Sequence, residues 1–426
     1  MISHLKELID LTPLIGTPPV EGVRYNPKKI SRAEFLKIAP FRLEPTPFYH
    51  GGFIIREGKA DGNHPYHLAG LYYFQEPSAM SAVTALQLSG NERVLDLCAA
   101  PGSKATAIAS RLEDGLLVAN EIQAKRAAAL LQNLERMGAR RAVITQAPAE
   151  RLAAAMPEYF DKVLIDSPCS GEGMFRKYPR ILEEWSEELV ERCALRSRAI
   201  LEAGAEALRP GGRLVYSTCT FNLEENEKTI LWFLERHPDF KPVETGISGA
   251  QPGFLGLSEA RRIFPSAGGE GHFVCALSRA GDAAGRSAPD FAKERWPEAD
   301  AAIKSMLKER PEGNWICRGN FFYLLDLDLP CPSGIRILRA GMQSLELQGR
   351  QWKPAHHMAM CLPKEAFLLT QEFSMQQARQ YLNGQVVQAE GRGWGTGLLE
   401  GTPIGWIKAG GGMGKNHLPK GLRTLS

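Results

Sequence analysis

At 426 residues, with 44% hydrophobic and 23% charged side chains, the chain is too long for a single core and too apolar to be disordered, so two or three domains are expected. A formal net charge of +3 neither requires nor excludes a nucleic-acid partner, and where the charges sit matters more. Eight cysteines without a CxxC pair exclude a secreted disulfide scaffold, and the start MISHLKELIDLTPLIG lacks the basic and apolar regions of a signal peptide. No apolar run approaches the roughly eighteen residues of a membrane span. A soluble, cytoplasmic monomer with reduced thiols and no metal is expected.

In chain order, residues 1–75 open with a short helical pattern and continue through proline- and aromatic-bearing stretches, APFRLEPTPFYHGGF and NHPYHLAGLYYFQEPSAM, which read as an N-terminal RNA-binding extension. From Arg93 short apolar runs alternate with amphipathic ones: RVLDLC, GLLVAN, RAVIT, DKVLID, GGRLVYS and HFVCALS are strands, with helical patterns between most of them. Strands separated by helices imply right-handed crossovers and a mostly parallel sheet, so a doubly wound α/β domain is expected over 76–282. The stretch RAGDAAGRSAPD, Arg279 to Asp290, is small and polar and reads as a linker. Beyond it GNFFYLLDLDLP and GIRILRAG suggest short strands in an intermediate domain over 283–360, and EAFLLT, GQVVQAEG and IGWIKAGGG suggest more over 361–426. The final stretch from Gly401 holds Lys408, Lys415, Lys420 and Arg423 and no acid, the most one-sided charge in the chain.

VLDLCAAPGSK is a strand entering a glycine-bearing turn and then a helix. The small residues Cys98, Ala99, Ala100, Pro101, Gly102 and Ser103 let backbone approach a ligand, with Lys104 following on the helix, whose N-terminus offers free N–H groups. Glu121 ends the next strand, nineteen residues after Gly102, where an acid can accept from a ribose diol; Arg126 follows on the next helix. The glycine content suits a ligand without a pyrophosphate, which favours S-adenosylmethionine over a dinucleotide.

Asp166, Cys169 and Cys219 each follow an apolar run, and in a doubly wound sheet ligands bind outside the carboxyl ends of strands. If DKVLID and GGRLVYS are neighbours, the two cysteines face one another across the cofactor site. A thiolate adding to position 6 of a cytosine or uracil makes carbon 5 nucleophilic, an acid such as Asp166 near N3 offsets the developing charge, and a second thiolate or a water then takes the proton from carbon 5. The residues do not rank the two cysteines. Cys193 and Cys275 read as core, and Cys98 is explained by its turn.

These stretches resemble the RNA cytosine-5 methyltransferases of the Sun/Fmu (Nol/Nop/Sun) group, over about Gln75 to Leu277, through QEPSAM, DLCAAPGSK, DSPCSGEGMFRKYP and PGGRLVYSTCTFNLEENE. Within the group CAAPGSK with CSGEGMFRK looks most like the bacterial RsmF type, which acts on small-subunit (16S) ribosomal RNA, and GWIKAGGGMGKNHLPKGLR is similar to that type's PUA-like RNA-binding domain. The resemblance implies a Rossmann-like methyltransferase domain, S-adenosylmethionine as cofactor and RNA as partner. It makes Cys219 the nucleophile and Cys169 the residue that assists release. It matches Cys98 to Lys104, Glu121 and Asp166 to cofactor positions, with Arg126 in support, and sets Arg176 and Lys177 near the RNA. Where this family often has an acid or asparagine beside the adenine ring, the chain reads TQAP, leaving that contact to Gln146 or to a backbone amide.

Selecting a cytosine in folded RNA needs phosphate contacts and an unstacked base. Lys408, Lys415, Lys420 and Arg423 are the expected phosphate contacts. Tyr72, Tyr73, Phe74, Trp352 and Trp406 are aromatic enough to stack on bases but are expected mainly in the core. Two rival readings are a methyltransferase acting on transfer RNA and a ribosome-assembly factor without catalysis. Two thiols beside a cofactor turn count against the second.

Overall fold

The computed structural model describes residues 17–282, 294–326 and 334–424. The helical pattern expected at the start of the chain, most of the expected linker and Cys331 lie outside the described residues.

Strands β1 (Gly22–Tyr25), β2 (Arg42–Pro45), β3 (Gly52–Glu57) and β4 (Tyr72–Phe74) form an antiparallel sheet in the order β2-β3-β1-β4. The helix Arg32–Ile38 opens on a capping box in which Ser31 and Glu34 satisfy each other's backbone N–H groups, and it turns Phe35 onto Phe53 and Tyr72.

The central sheet carries β5 (Arg93–Asp96), β6 (Leu116–Asn120), β7 (Ala142–Gln146), β8 (Phe160–Asp166), β9 (Leu208–Thr218), β10 (Phe240–Val243), β11 (Gln251–Pro252), β12 (Arg261–Ile263) and β13 (His272–Arg279). Strands β7-β6-β5-β8-β9 run parallel, β13 lies antiparallel beyond β9, and β10 and β12 pair with β13 on its other side. The strands are apolar along their length because both faces are covered. Leu95, Val118, Val143, Val163, Ile165 and Leu214 face one core, while Val94, Leu117, Ile144, Leu164 and Val215 face the other. The chain builds outward from β5 through β6 to β7, then returns to place β8 and β9 on the opposite side. This reversal opens a crevice beyond the carboxyl ends of β5 and β8.

After the linker come β14 (Asn314–Arg318), β15 (Phe321–Leu325), β16 (Arg336–Ala340), β17 (Met342–Gln348) and β18 (Gln351–Pro354). Four of them make a small sheet, β14-β15-β17-β18. The fifth corrects the expected boundary at 282: β16 pairs antiparallel with β7 and extends the central sheet. The sequence of β16 carries no sign of this, because the partner it needs is an edge strand left unpaired some 190 residues earlier. Arg141 with Asp326, and Arg339 with Glu135, fasten the join.

The last sheet, β19 (Thr370–Glu372), β20 (Val387–Gln388), β21 (Gly393–Leu399), β22 (Thr402–Gly410) and β23 (Met413–Asn416), has the order β19-β21-β22-β23-β20. Its Phe373, Tyr381, Leu399 and Ile407 share one core with Val23, Phe35, Phe53 and Tyr72, and Tyr66 donates to Glu400 at 2.8 Å. The N-terminal extension and the C-terminal sheet, expected as separate ends, are thus packed together. Tyr72, Tyr73 and Trp406 are buried, so they belong to the core rather than to a stacking surface.

Candidate active site

Because β8 and β9 are parallel neighbours with Asp166 opposite Ser217, the turns that follow them leave side by side. Cys169 and Cys219 meet there, with their sulfurs 3.4 Å apart. Neither is fully buried, whereas Cys193 and Cys275 are core residues. Gly173 donates its N–H to the Cys219 carbonyl at 2.9 Å, and a Cβ on Gly173 would stand 2.9 Å from that oxygen, so the approach of the turns requires glycine. The hydrogen bond with the Cys219 sulfur, and then burial, push the Cys169 thiol up, so Cys169 keeps its proton at neutral pH.

Asp166 sits beside the pair. Its Oδ2 takes an ion pair from Lys104 at 2.8 Å and its Oδ1 accepts from Ser217 at 3.0 Å. Burial acts to raise this carboxyl, but the Lys104 charge and the hydrogen bonds outweigh it and hold it below its usual range. Asp96, at the end of β5, is its opposite: burial first and the Asp166 charge second lift it to about 8. Two carboxyls in one crevice thus differ in protonation near neutral pH, one an acceptor and the other a holder of a proton. His272, 2% exposed, has its Nε2 3.9 Å from Asp166 Oδ1, and burial drives it down to about 3, so it is neutral. Asp96, Ser217 and His272 were not singled out from the sequence. Asp96 opens the DLCAAPGSK stretch and was within reach, but the other two are marked only by contacts across strands.

The turn expected to hold the cofactor follows β5. Gly102 has φ +112°, and a Cβ there would lie 3.3 Å from Asn133 and Leu130. It begins the helix Ser103–Arg111 without a capping side chain, which leaves N–H groups of the first turn open to a ligand. Ala99 and Ala100 line the turn as buried small residues, Arg126 donates to the Ala100 carbonyl at 2.8 Å, and Asn133 donates to that of Pro101 at 2.9 Å. Glu121 is 3% exposed, with Arg126 3.4 Å from its Oε2. Cys98 is neighbour to three acids, and its thiol is pushed up mainly by burial and then by Asp96. An uncapped helix end, a backbone turn of small residues and an acid one strand over fit a nucleoside that carries a charged amino-acid tail.

Gln146 does not keep the role expected of it. Its Oε1 accepts from Arg336 at 3.0 Å and its Nε2 donates to the Ile122 carbonyl at 3.2 Å, while the next backbone amide, Ala147, donates to Asn120 at 3.1 Å. Both expected adenine contacts are engaged: Gln146 by Arg336, which β16 brings to this edge, and by Ile122, and the Ala147 amide by Asn120 of β6. Ile122, beside Glu121, is 57% exposed at the same place.

Arg176 is also corrected. Its guanidinium grips Glu270 through Nε at 2.8 Å and Nη2 at 2.7 Å and is 8% exposed, so it latches the loop internally rather than facing RNA. Lys177 is exposed, next to Tyr178, 53% exposed. At the far end Lys408 and Lys415 are exposed and directly opposite across β22 and β23, with Lys408 Nζ 5.2 Å from the Trp394 ring centre. Like charges placed opposite destabilise a sheet unless an anion lies between them. Lys420 is exposed, whereas Arg423 is half-buried and donates to the Leu418 carbonyl at 3.1 Å, so its fork is partly committed to the fold.

Among the described residues no helix is long and apolar enough to cross a membrane, and no group of three His, Cys, Asp or Glu side chains could hold a metal. The fold and its crevice place the chain in the class of Rossmann-like, S-adenosylmethionine-dependent methyltransferases. Residues 83–278 match the family model for 16S rRNA methyltransferase RsmB/F, residues 4–77 the N-terminal domain of 16S rRNA methyltransferase RsmF, and residues 369–424 the methyltransferase RsmF PUA domain. The chain is 34% identical to ribosomal RNA small subunit methyltransferase F of Shigella boydii serotype 4, over 95% of this chain and 90% of that one. The Escherichia coli K12 protein of the same name is 33% identical over the same shares. The chain belongs to the RsmB/F methyltransferase family. Among solved structures, a methyltransferase homologue from Pyrococcus horikoshii superposes with a TM-score of 0.56 at 29% identity, covering 63% of this chain and 88% of that one. NSun6 from the same organism, solved with SFG, shares the fold with a TM-score of 0.56 at 23% identity, covering 62% and 92%.

Proposed function

We propose that the chain transfers a methyl group from S-adenosylmethionine to carbon 5 of a cytosine in 16S ribosomal RNA. The single observation that carries the reaction is the 3.4 Å approach of Cys169 and Cys219 beside Asp166. The substrate class is supported by the names of the relatives that match nearly the whole chain.

The turn Cys98–Ser103 with Lys104, Glu121 and Arg126 would hold the cofactor, which supplies an electrophilic methyl group. Cys219, as thiolate, adds to carbon 6: a sulfur–carbon bond forms and the C5=C6 pair becomes available at carbon 5. Asp166, being ionised, accepts a hydrogen bond from the base's amino edge instead of giving a proton to N3, and the ammonium of Lys104 answers charge that gathers on the ring. Once carbon 5 is methylated its proton must leave, the C5=C6 bond re-forms and the bond to Cys219 breaks. Cys169 is the base for that proton. Its thiol is held protonated chiefly by the neighbouring sulfur. Attack turns that sulfur into a thioether and removes the largest cause, so Cys169 releases its own proton to solvent more readily and then, as thiolate, takes the proton from carbon 5.

Lys177, Lys408, Lys415 and Lys420 are the proposed RNA contacts. Replacing Lys408 and Lys415 by alanine is expected to weaken binding more at low than at high salt, flattening the slope of log affinity against log salt by about one to two units. An unchanged slope refutes the contacts. The function itself is tested by bisulfite sequencing of ribosomal and transfer RNA from cells lacking the chain. A protected cytosine in 16S RNA should become convertible and regain protection when the chain is restored, and protection lost only from transfer RNA would replace this substrate.

A further inference from the structure

Resting on that reading, one buried acid in NLEENE remains without a role. Glu225 is 0% exposed, and both oxygens of its carboxylate accept from Ser170: one from the backbone N–H at 2.9 Å, the other from the hydroxyl. Ser170 is the residue after Cys169. Its hydroxyl lies 2.9 Å from that of Thr220, the residue after Cys219. Burial lifts the Glu225 carboxyl to about 7; when it is ionised, the proton of Ser170 goes to Glu225 and the hydroxyl of Thr220 donates to Ser170, so the chain runs Thr220 to Ser170 to Glu225. The Glu225 carbonyl in turn accepts from buried Tyr216 at 2.6 Å, which roots the acid in β9. Asn226 holds only the Cys219 side, through Thr218 at 2.6 Å and the Thr220 carbonyl at 2.9 Å. Burying a carboxylate is costly, and a turn needing no more than closure could use a neutral side chain.

We infer that Glu225 is a positioning residue for release: by clasping Ser170 and Thr220 it sets where the Cys169 sulfur stands relative to a base carried on Cys219. Attack requires Cys219 alone, but removal of the carbon 5 proton requires both sulfurs at a fixed separation. Loosening the clasp therefore slows the second half of the reaction and spares the first.

The test uses the full chain with 16S RNA from cells lacking it, and follows formation and decay of the covalent protein–RNA adduct separately. Glu225→Gln leaves one acceptor for two donors. It is expected to form adduct at a rate within about threefold of wild type, with similar KM values, and to resolve it about tenfold or more slowly, since sub-ångström displacement of a reacting group has effects of that order. Thr220→Val keeps the shape of the side chain and removes only the hydroxyl; it should show the same split to a smaller degree and covers the case in which Glu225→Gln fails to fold. Cys169→Ala is run beside them. If it traps adduct while Glu225→Gln and Thr220→Val resolve theirs at the wild-type rate, or lose formation and decay equally, the clasp is refuted and the reaction scheme stands. If Cys169→Ala forms no adduct, the scheme itself falls and takes the clasp with it.

Discussion

Cys219→Ala is expected to lower methyl transfer to RNA at least about a thousandfold, while Cys169→Ala still attacks and then stalls, leaving protein joined to RNA through Cys219. The asymmetry follows from the geometry. Each cysteine follows its own strand beside Asp166, the two sulfurs stand 3.4 Å apart, and the hydrogen bond with Cys219 and then burial push the Cys169 thiol up. Removing Cys219 removes the atom that makes carbon 5 nucleophilic, which neither Lys104 nor Asp166 can replace. Removing Cys169 leaves attack possible but takes away the group that accepts the carbon 5 proton. Denaturing gels of protein with labelled RNA read the trapped species directly, and transfer of label from the methyl donor reads turnover. Full turnover by Cys219→Ala, or an adduct through Cys169 in that variant, would overturn the scheme.

Arg262→Met is expected to cost about 3–5 kcal/mol of stability, because it leaves a buried carboxylate without its cation. Arg262 is 2% exposed and Glu227 is fully buried; Nε of the first donates to the second at 2.7 Å, and Nη2 completes the fork. The same guanidinium donates through Nη1 to the Phe221 carbonyl at 2.8 Å, two residues beyond Cys219. Methionine fills much of the volume and satisfies neither group. The urea midpoint should fall clearly, and a second change, Glu227→Leu, should recover a good part of the loss by removing the orphaned charge. If Arg262→Met unfolds at the wild-type midpoint, or if the double variant is worse than the single one, the ion pair is not what stabilises this end of the sheet.

The alternation of apolar runs with helical patterns was enough to read the parallel sheet, since strands buried on both faces must be apolar throughout and their crossovers must be helical. The turn VLDLCAAPGSK and the positions of Cys169 and Cys219 after strands were legible for a related reason: site residues of this fold sit at strand ends, and strand ends are local features of a chain. Arg176 and Gln146 misled because exposure is not local. Glu270 and Arg336, which engage them, lie 94 and 190 residues away. Distance along the chain also hid the pairing of β16 with β7, the place of His272 and the clasp of Glu225.

Short windows of residues are enough to set the class of fold, the glycine-bearing turn after β5 and the strand-end places of the two thiols, because the backbone and polarity of each follow from its own residues. Long-range packing sets which carboxyl keeps a proton, which basic groups are engaged inside the protein, and how near the two sulfurs stand. Those properties depend on burial and on partners from other elements, and no window of sequence contains them.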